Sequence, residues 1–175
     1  MQTLASMISD PAAAFVALLR EHQRLVHRVA RSYARGHAEI EDLSQEIAAQ
    51  AWRAFPAYDP QRRFSTWLYR IALNVAISWL RSEAPRRQRS VSYDAELHEP
   101  AVGDIADAGD GGRILRSFIE SLGALDRAVL LLYLEERPLA EIAEILGLTT
   151  TNLTTKINRL KERLGRFAEK EHGTR

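Results

Sequence analysis

Pro138-Leu-Ala-Glu-Ile-Ala-Glu-Ile-Leu-Gly147-Leu-Thr-Thr-Thr-Asn-Leu-Thr-Thr-Lys156-Ile-Asn-Arg-Leu160 is where the chain declares its architecture. Apolar residues recur at three- and four-residue steps on both sides of a glycine, which predicts two short helices and a tight turn. Helices joined so briefly cross steeply and must pack closely. Ala143 is small where the backbones approach, and Gly147 suits the left-handed residue that ends a helix. Ile142, Leu146, Leu148, Leu153 and Ile157 form the expected shared core. The second helix keeps a polar face of Thr150, Thr151, Asn152, Thr154, Thr155, Lys156 and Arg159. Its free N-terminal N–H groups suit a phosphate. An ordinary helical hairpin would share the core spacing. The turn glycine and the polar-basic face together favour a helix-turn-helix whose later helix reads a DNA major groove.

Outward from that stretch the pattern stays helical. Downstream the second helix is expected to run to about Lys170. Upstream, Ile114–Leu122 reads as a short amphipathic helix, and Asp126 as the cap of another through Glu135, before Arg137-Pro138 breaks the chain. Phe15, Leu18, Leu19, Leu25, Val26, Val29 and Tyr33 predict one long helix, with Asp10-Pro11 at its start and Gly36 at its end. A second helix is expected from about Glu39, with Ile40, Leu43, Ile47, Ala51 and Phe55 inward. Pro56 and Pro60 make a loop to Ser65. The next helix runs to about Arg81 with Leu68, Ile71, Ala72, Val75 and Leu80 inward, and Pro85 stops it. No strand-period alternation stands out. The fold class is therefore all-α, with two small helical domains: residues 1–88, a linker over 89–113, and residues 114–175.

Charge divides along the same lines. The 175 residues are 46% hydrophobic and 27% charged, with a net charge of +1. From Ser90 to Gly112 the acids are Asp94, Glu96, Glu99, Asp104, Asp107 and Asp110, without a Lys or Arg, so the remainder carries +7. That segment also holds Pro100, Gly103, Gly109, Gly111 and Gly112, which reads as a flexible linker. A basic body around an acidic strip points to a polyanion partner. There is no cysteine, no secretory signal and no apolar run of membrane-spanning length, which together favour a cytoplasmic protein without membrane insertion. The five histidines, His22, His27, His37, His98 and His172, do not fall at metal-ligand spacing. With no phosphate loop and no nucleophile–base pair, an enzyme is disfavoured, and no catalytic residue, metal or cofactor is expected.

The first half has its own constellation. Glu41-Asp-Leu-Ser-Gln-Glu46 puts acids on a helix whose other side is apolar. Trp67, Tyr69, Arg70 and Trp79 interleave rings with guanidinium groups beside Arg62 and Arg63, an arrangement that offers stacking platforms to unpaired bases. Aromatics at helical spacing are also common core residues.

Three of these segments together resemble the extracytoplasmic-function (ECF) sigma factors of RNA polymerase, RpoE-like members of group IV of the sigma-70 family. Asp42-Leu43-Ser44-Gln45-Glu46 is similar to the family's Asp-Leu-x-Gln-Glu. Phe64-Ser-Thr-Trp-Leu-Tyr-Arg-Ile-Ala-x-Asn74 resembles its promoter-melting and minus-ten segment, and Glu141–Gly147 its minus-thirty-five helix-turn-helix. The resemblance covers about Phe15–Arg81 and Leu115–Arg166, in the family's order. It implies a transcription initiation factor, with core RNA polymerase and promoter DNA as partners. An anti-sigma factor is a common further partner in the family. By the same resemblance Asp42, Gln45 and Glu46 dock on the polymerase clamp helices. Arg62, Arg63, Trp67, Arg70 and Asn74 take the opened minus-ten element. Thr150, Thr151, Asn152, Thr154, Thr155, Lys156 and Arg159 read the minus-thirty-five duplex. The acidic linker threads the channel that later receives RNA. Pro138 stands where the family often has a capping Ser, Thr151 where it often has Gly, and Thr154 where it often has Lys. Leu122-Gly-Ala-Leu125 lacks a common proline. The alternative is a stand-alone helix-turn-helix regulator, which has no need of Asp42–Glu46 beside a basic, aromatic melting segment.

Overall fold

Asp10 opens the first helix. Its Oδ1 accepts the N–H groups of Ala12 and Ala13 at 3.1 and 3.0 Å, which satisfies two donors that have no helical partner. The computed structural model describes residues 10–89 and 109–173. Its elements are α1 (Pro11–Glu21), α2 (Gln23–Tyr33), α3 (Gly36–Ala54), a 3-10 turn (Phe55–Ala57), α4 (Phe64–Arg89), α5 (Gly109–Ser121), α6 (Ala124–Leu134), α7 (Leu139–Leu146) and α8 (Thr150–Gly173). The chain divides into two compact units, Met1–Ala101 and Val102–Arg175. Every described element is helical, as the all-α reading expects.

In the first unit α2, α3 and α4 pack on one another, and α1 joins through α2. The expected single helix over Phe15–Tyr33 is broken at His22. The His22 Nδ1 lies 2.9 Å from the Leu18 carbonyl oxygen, and the ring meets Phe64 edge-on at 5.1 Å. A side chain that engages a carbonyl of the preceding turn competes with the helical ladder and lets the chain bend. The second helix begins at Gly36, three residues before the expected Glu39. Gly36 has φ +72, and the Glu39 carboxylate reaches back to accept the Arg35 N–H at 2.7 Å, which satisfies the backbone donor at the helix start.

The predicted stripe of α3 is inward: Leu43, Ile47 and Ala51 are fully buried, Phe55 nearly so, and Ile40 is half-buried. On α4 the inner face differs from expectation. Leu68, Tyr69, Ala72, Leu73 and Ala76 are buried, whereas Ile71, Val75 and Leu80 are half-buried. The helix packs against both α2 and α3, so its buried arc covers two neighbours rather than one. Ala30, Ala51, Ala72 and Ala76 have no exposed surface and let the backbones approach. Pro85 does not stop α4, which runs on to Arg89. A proline removes one ladder hydrogen bond and bends a helix without always ending it.

In the second unit α8 packs on α5, α6 and α7. Phe118, Leu132, Ile142 and Leu153 are the large fully buried side chains of its core, joined by Val129, Ile145 and Leu160. The helix expected from Ile114 starts at Gly109. The last five residues assigned to the linker, 109–113, are therefore helical, with Asp110 in the first turn and 2.6 Å from Arg113, and its first, Arg89, ends α4. The rest of the linker, 90–108, lies outside the described residues. Asp126 is not the cap of α6. Gly123 holds that position, and the Asp126 carboxylate is engaged elsewhere. Arg127, a charged residue within this core, donates from Nη2 to the Glu120 and Leu122 carbonyls at 2.9 and 3.4 Å, tying down the end of α5.

Candidate nucleic-acid interface

The reader helix is positioned by its turn. Gly147 has φ +66, and the Leu148 N–H reaches back to the Ala143 carbonyl at 2.9 Å, the six-residue closure that ends α7 sharply. Thr149 then caps α8, its Oγ1 accepting the Asn152 N–H at 3.2 Å. Ile142, Ala143, Leu153 and Ile157 are buried between the two helices, with Leu146 and Leu148 half-buried. Ile145 and Leu160 complete this core and were not among the residues expected there.

Thr150, Thr151, Asn152, Thr154, Thr155 and Arg159 are all exposed on α8. Thr154 donates its hydroxyl to the Thr150 carbonyl at 2.9 Å, and Thr155 to that of Thr151 at 3.0 Å. Asn158, exposed between Thr155 and Arg159, was missed by the sequence reading. At four residues from Thr154 and seven from Thr151 it shares their outward arc, and that spacing would have found it. Lys156 is placed differently. It is half-buried, and its Nζ lies 2.7 Å from Asp126 Oδ1 across on α6, while Arg163 reaches Oδ2 of the same carboxylate at 3.1 Å. Lys161 sits 4.9 Å over the Tyr133 ring.

In the first unit Asp42 and Gln45 are exposed on α3. Glu46 is half-exposed, accepts from Gln50 Nε2 at 2.8 Å, and has Arg53 Nη1 at 3.9 Å. These three therefore share the side of α3 turned away from Leu43, Ile47 and Ala51.

Loop 58–63 is closed on itself. The Tyr58 hydroxyl donates to the Arg62 carbonyl at 2.7 Å, Gln61 N–H to Asp59 Oδ1 at 2.9 Å, and Arg62 N–H to the Asp59 carbonyl at 3.0 Å. Burial, and secondarily the Asp59 charge, push the Tyr58 phenol above its ordinary 10.0, so the hydroxyl stays a donor. Arg62 and Arg63 are exposed on this loop, and Arg70 and Asn74 on α4. Arg63, Trp67, Arg70 and Asn74 follow at helical spacing along one face. Trp67 is half-buried against Tyr58, Phe64 and Phe55, with ring centroids at 5.0, 5.2 and 6.3 Å. Tyr69 is 1% exposed and is a core residue, not a platform. Trp79 is half-buried.

No group of three or more His, Cys, Asp or Glu side chains that could hold a metal occurs among the described residues. Among those residues no helix is long and apolar enough to cross a membrane.

Comparison with known proteins assigns both units. Residues 18–86 match the Sigma-70 region 2 family and residues 112–164 the Sigma-70, region 4 family. The chain is 31% identical over 141 residues to the ECF RNA polymerase sigma factor SigW of Bacillus subtilis, covering 72% of this chain and 73% of that one. The chain belongs to the ECF RNA polymerase sigma factors. It is also 28% identical over 177 residues to the RNA polymerase sigma factor CnrH of Cupriavidus metallidurans, covering 91% and 89% of the two chains. In fold, it matches CnrH in complex with the cytosolic domain of CnrY with a TM-score of 0.68, at 23% identity over 95% of each chain. It matches RpoE in complex with the anti-sigma factor NepR from Bartonella quintana with a TM-score of 0.66, at 22% identity over 89% of this chain and 96% of that one. As an ECF sigma factor, this protein is a transcription initiation factor that directs RNA polymerase to promoters. That decides against a stand-alone regulator. The region 4 match begins at residue 112, within α5.

Proposed function

We propose that the two units of this sigma factor divide promoter recognition between them. The second reads minus-thirty-five duplex with α8, through Thr150, Thr151, Asn152, Thr154, Thr155 and Arg159, with Lys156 at the flank. The first receives the opened minus-ten strand on loop 58–63 and the adjoining face of α4, through Arg62, Arg63, Trp67, Arg70 and Asn74. Asp42, Gln45 and Glu46 dock on a basic surface of core polymerase. The observation that carries this reading is the contrast between the two surfaces. A rigidly capped helix with an outward row of polar side chains suits a groove. A self-closed loop beside a half-buried indole and three guanidinium groups suits unpaired bases and their backbone. The RpoE structure holds an anti-sigma factor and the CnrH structure the cytosolic domain of CnrY, and we extend an anti-sigma partner to this chain on the likeness to the first.

The test is run-off transcription by the holoenzyme from a library of fragments, with start sites mapped. Two conserved elements upstream of the start sites, the nearer one melted, are expected. Transcription that depends on a single duplex element would overturn the division of labour.

A further inference from the structure

Four cations lie along the reader helix from Lys156 to Arg163: Lys156, Arg159, Lys161 and Arg163. Asp126, from a different helix, engages two of them at once. One carboxylate oxygen takes the Lys156 ammonium at 2.7 Å and the other takes the Arg163 guanidinium at 3.1 Å. Lys156 and Arg163 are seven residues apart, two helical turns, so they stand on the same flank of α8. Both keep part of their surface in water, 32% and 43% of the side chain, and the carboxylate between them keeps 25%. Asn152 lies one turn before Lys156 on this flank, and Arg159 lies between the two cations. An anionic oxygen pair gripped by an ammonium and a guanidinium at the edge of a major-groove helix is what a backbone phosphate would present there.

We infer that Asp126 tunes duplex affinity: it competes with DNA phosphate for Lys156 and Arg163 and so withholds two cations from sequence-independent binding. The inference rests on the proposed duplex reading by α8. Phosphate contacts add affinity equally at every site, whereas base contacts discriminate. Withholding the two cations therefore lowers the hold of α8 on any duplex, and its salt dependence, while leaving the differences between sites to the base contacts. The carboxylate does this without shortening the polar row on the outer face, because Lys156 and Arg163 sit on the flank that faces α6. Arg159, which makes no ion pair among the described residues, is left to act on DNA directly.

The experiment uses the full chain and a random-sequence duplex of about three helical turns, with binding followed by anisotropy across a salt series. Asp126→Asn is expected to bind more tightly at low salt. Its plot of log affinity against log salt should be steeper by ~0.9 for each cation released, hence by up to ~1.8. The double variant Asp126→Asn with Lys156→Gln should give back ~0.9 of that steepening. Selection from a randomised duplex pool should return the same base preference for Asp126→Asn as for the parent, because the released contacts are to phosphate; a changed preference would place the released cations on bases and overturn the inference. An unchanged or shallower slope in a folded Asp126→Asn chain overturns the inference and leaves the duplex reading intact. If neither chain binds duplex, the reading of α8 fails and the inference fails with it. Should Asp126→Asn melt too low to assay, the parent chain is titrated with the same duplex while the Lys156 ammonium resonance is followed by NMR. Movement of that resonance on binding supports the exchange of partners, and a signal that stays put overturns it.

Discussion

Removal of the Trp67 indole should separate opening of the minus-ten element from arrival at the promoter. The ring is half-buried and touches Tyr58, Phe64 and Phe55. Full truncation of a buried Trp costs ~3–5 kcal/mol, so a half-buried one should cost about 2 kcal/mol. For a unit of this size that corresponds to a fall in Tm of roughly 8–16 °C. If the exposed half also stacks on a base, its loss withdraws a further ~1–3 kcal/mol from the open complex, a 5- to 150-fold shift against opening. Trp67→Ala alone mixes the two effects, and Trp67→Leu separates them. Leucine returns much of the apolar volume to the cluster but has no π-face. The assay places 2-aminopurine in the minus-ten element of a mapped promoter and follows its fluorescence with holoenzyme, beside recruitment and Tm. Stacking predicts that both variants recruit normally and open poorly, with Leu restoring Tm but not opening. If opening recovers in step with Tm, Trp67 is a packing residue and the platform argument is refuted.

Two further variants test the other surfaces. Asp42→Arg should abolish co-elution with core polymerase while changing stability by no more than ~0.5 kcal/mol, because the side chain is exposed and opposite the buried stripe; normal co-elution of the folded variant would remove this face of α3 from the docking surface. Arg159→Ala should shallow the salt dependence of duplex binding by ~0.9, the loss of one phosphate contact, and an unchanged slope would place Arg159 off the backbone.

What the sequence disclosed and what it hid follow from the range of the interactions involved. The bounds of α7 and the start of α8 were legible because Pro138 and Gly147 punctuate them and because the caps are local: Thr149 to Asn152, Leu148 to Ala143. The α3 stripe was legible because Leu43, Ile47, Ala51 and Phe55 repeat at a four-residue step against one side. The break at His22 carries no proline or glycine and arises from a side-chain contact to Leu18. Pro85 misled in the other direction, as a stop signal that the helix overrides. The inward place of Tyr69 depends on α4 having two neighbours, which no single-helix periodicity reveals. Hardest of all was Asp126. Ahead of an apolar run it reads as the cap that starts a helix, whereas it is the third residue of α6 and its true partners lie 30 and 37 residues away. The same distance hid the cost to Lys156, which looks free on a helical face drawn alone.

The threonines of α8 carry the last prediction, which concerns base chemistry. A threonine hydroxyl has one proton to give. Thr155 gives its proton to the Thr151 carbonyl, which leaves Oγ1 as an acceptor on an exposed side chain that also carries a methyl group. In the major groove the groups that meet an acceptor are the amino groups of adenine and cytosine, and the group that meets a methyl is the thymine methyl. Guanine offers only acceptors there. The position facing Thr155 is therefore expected to be A, C or T on the contacted strand. Selection of promoters by the holoenzyme, repeated with Thr155→Val and Thr155→Ser, locates that position and names its chemistry. Valine keeps the methyl and loses the acceptor, and serine does the reverse. Loss of preference with Val alone marks an amino group, and loss with Ser alone marks thymine. A guanine required at the position that either variant alters would show that the hydroxyl has abandoned the Thr151 carbonyl to donate to DNA, and the argument from the free helix would fall.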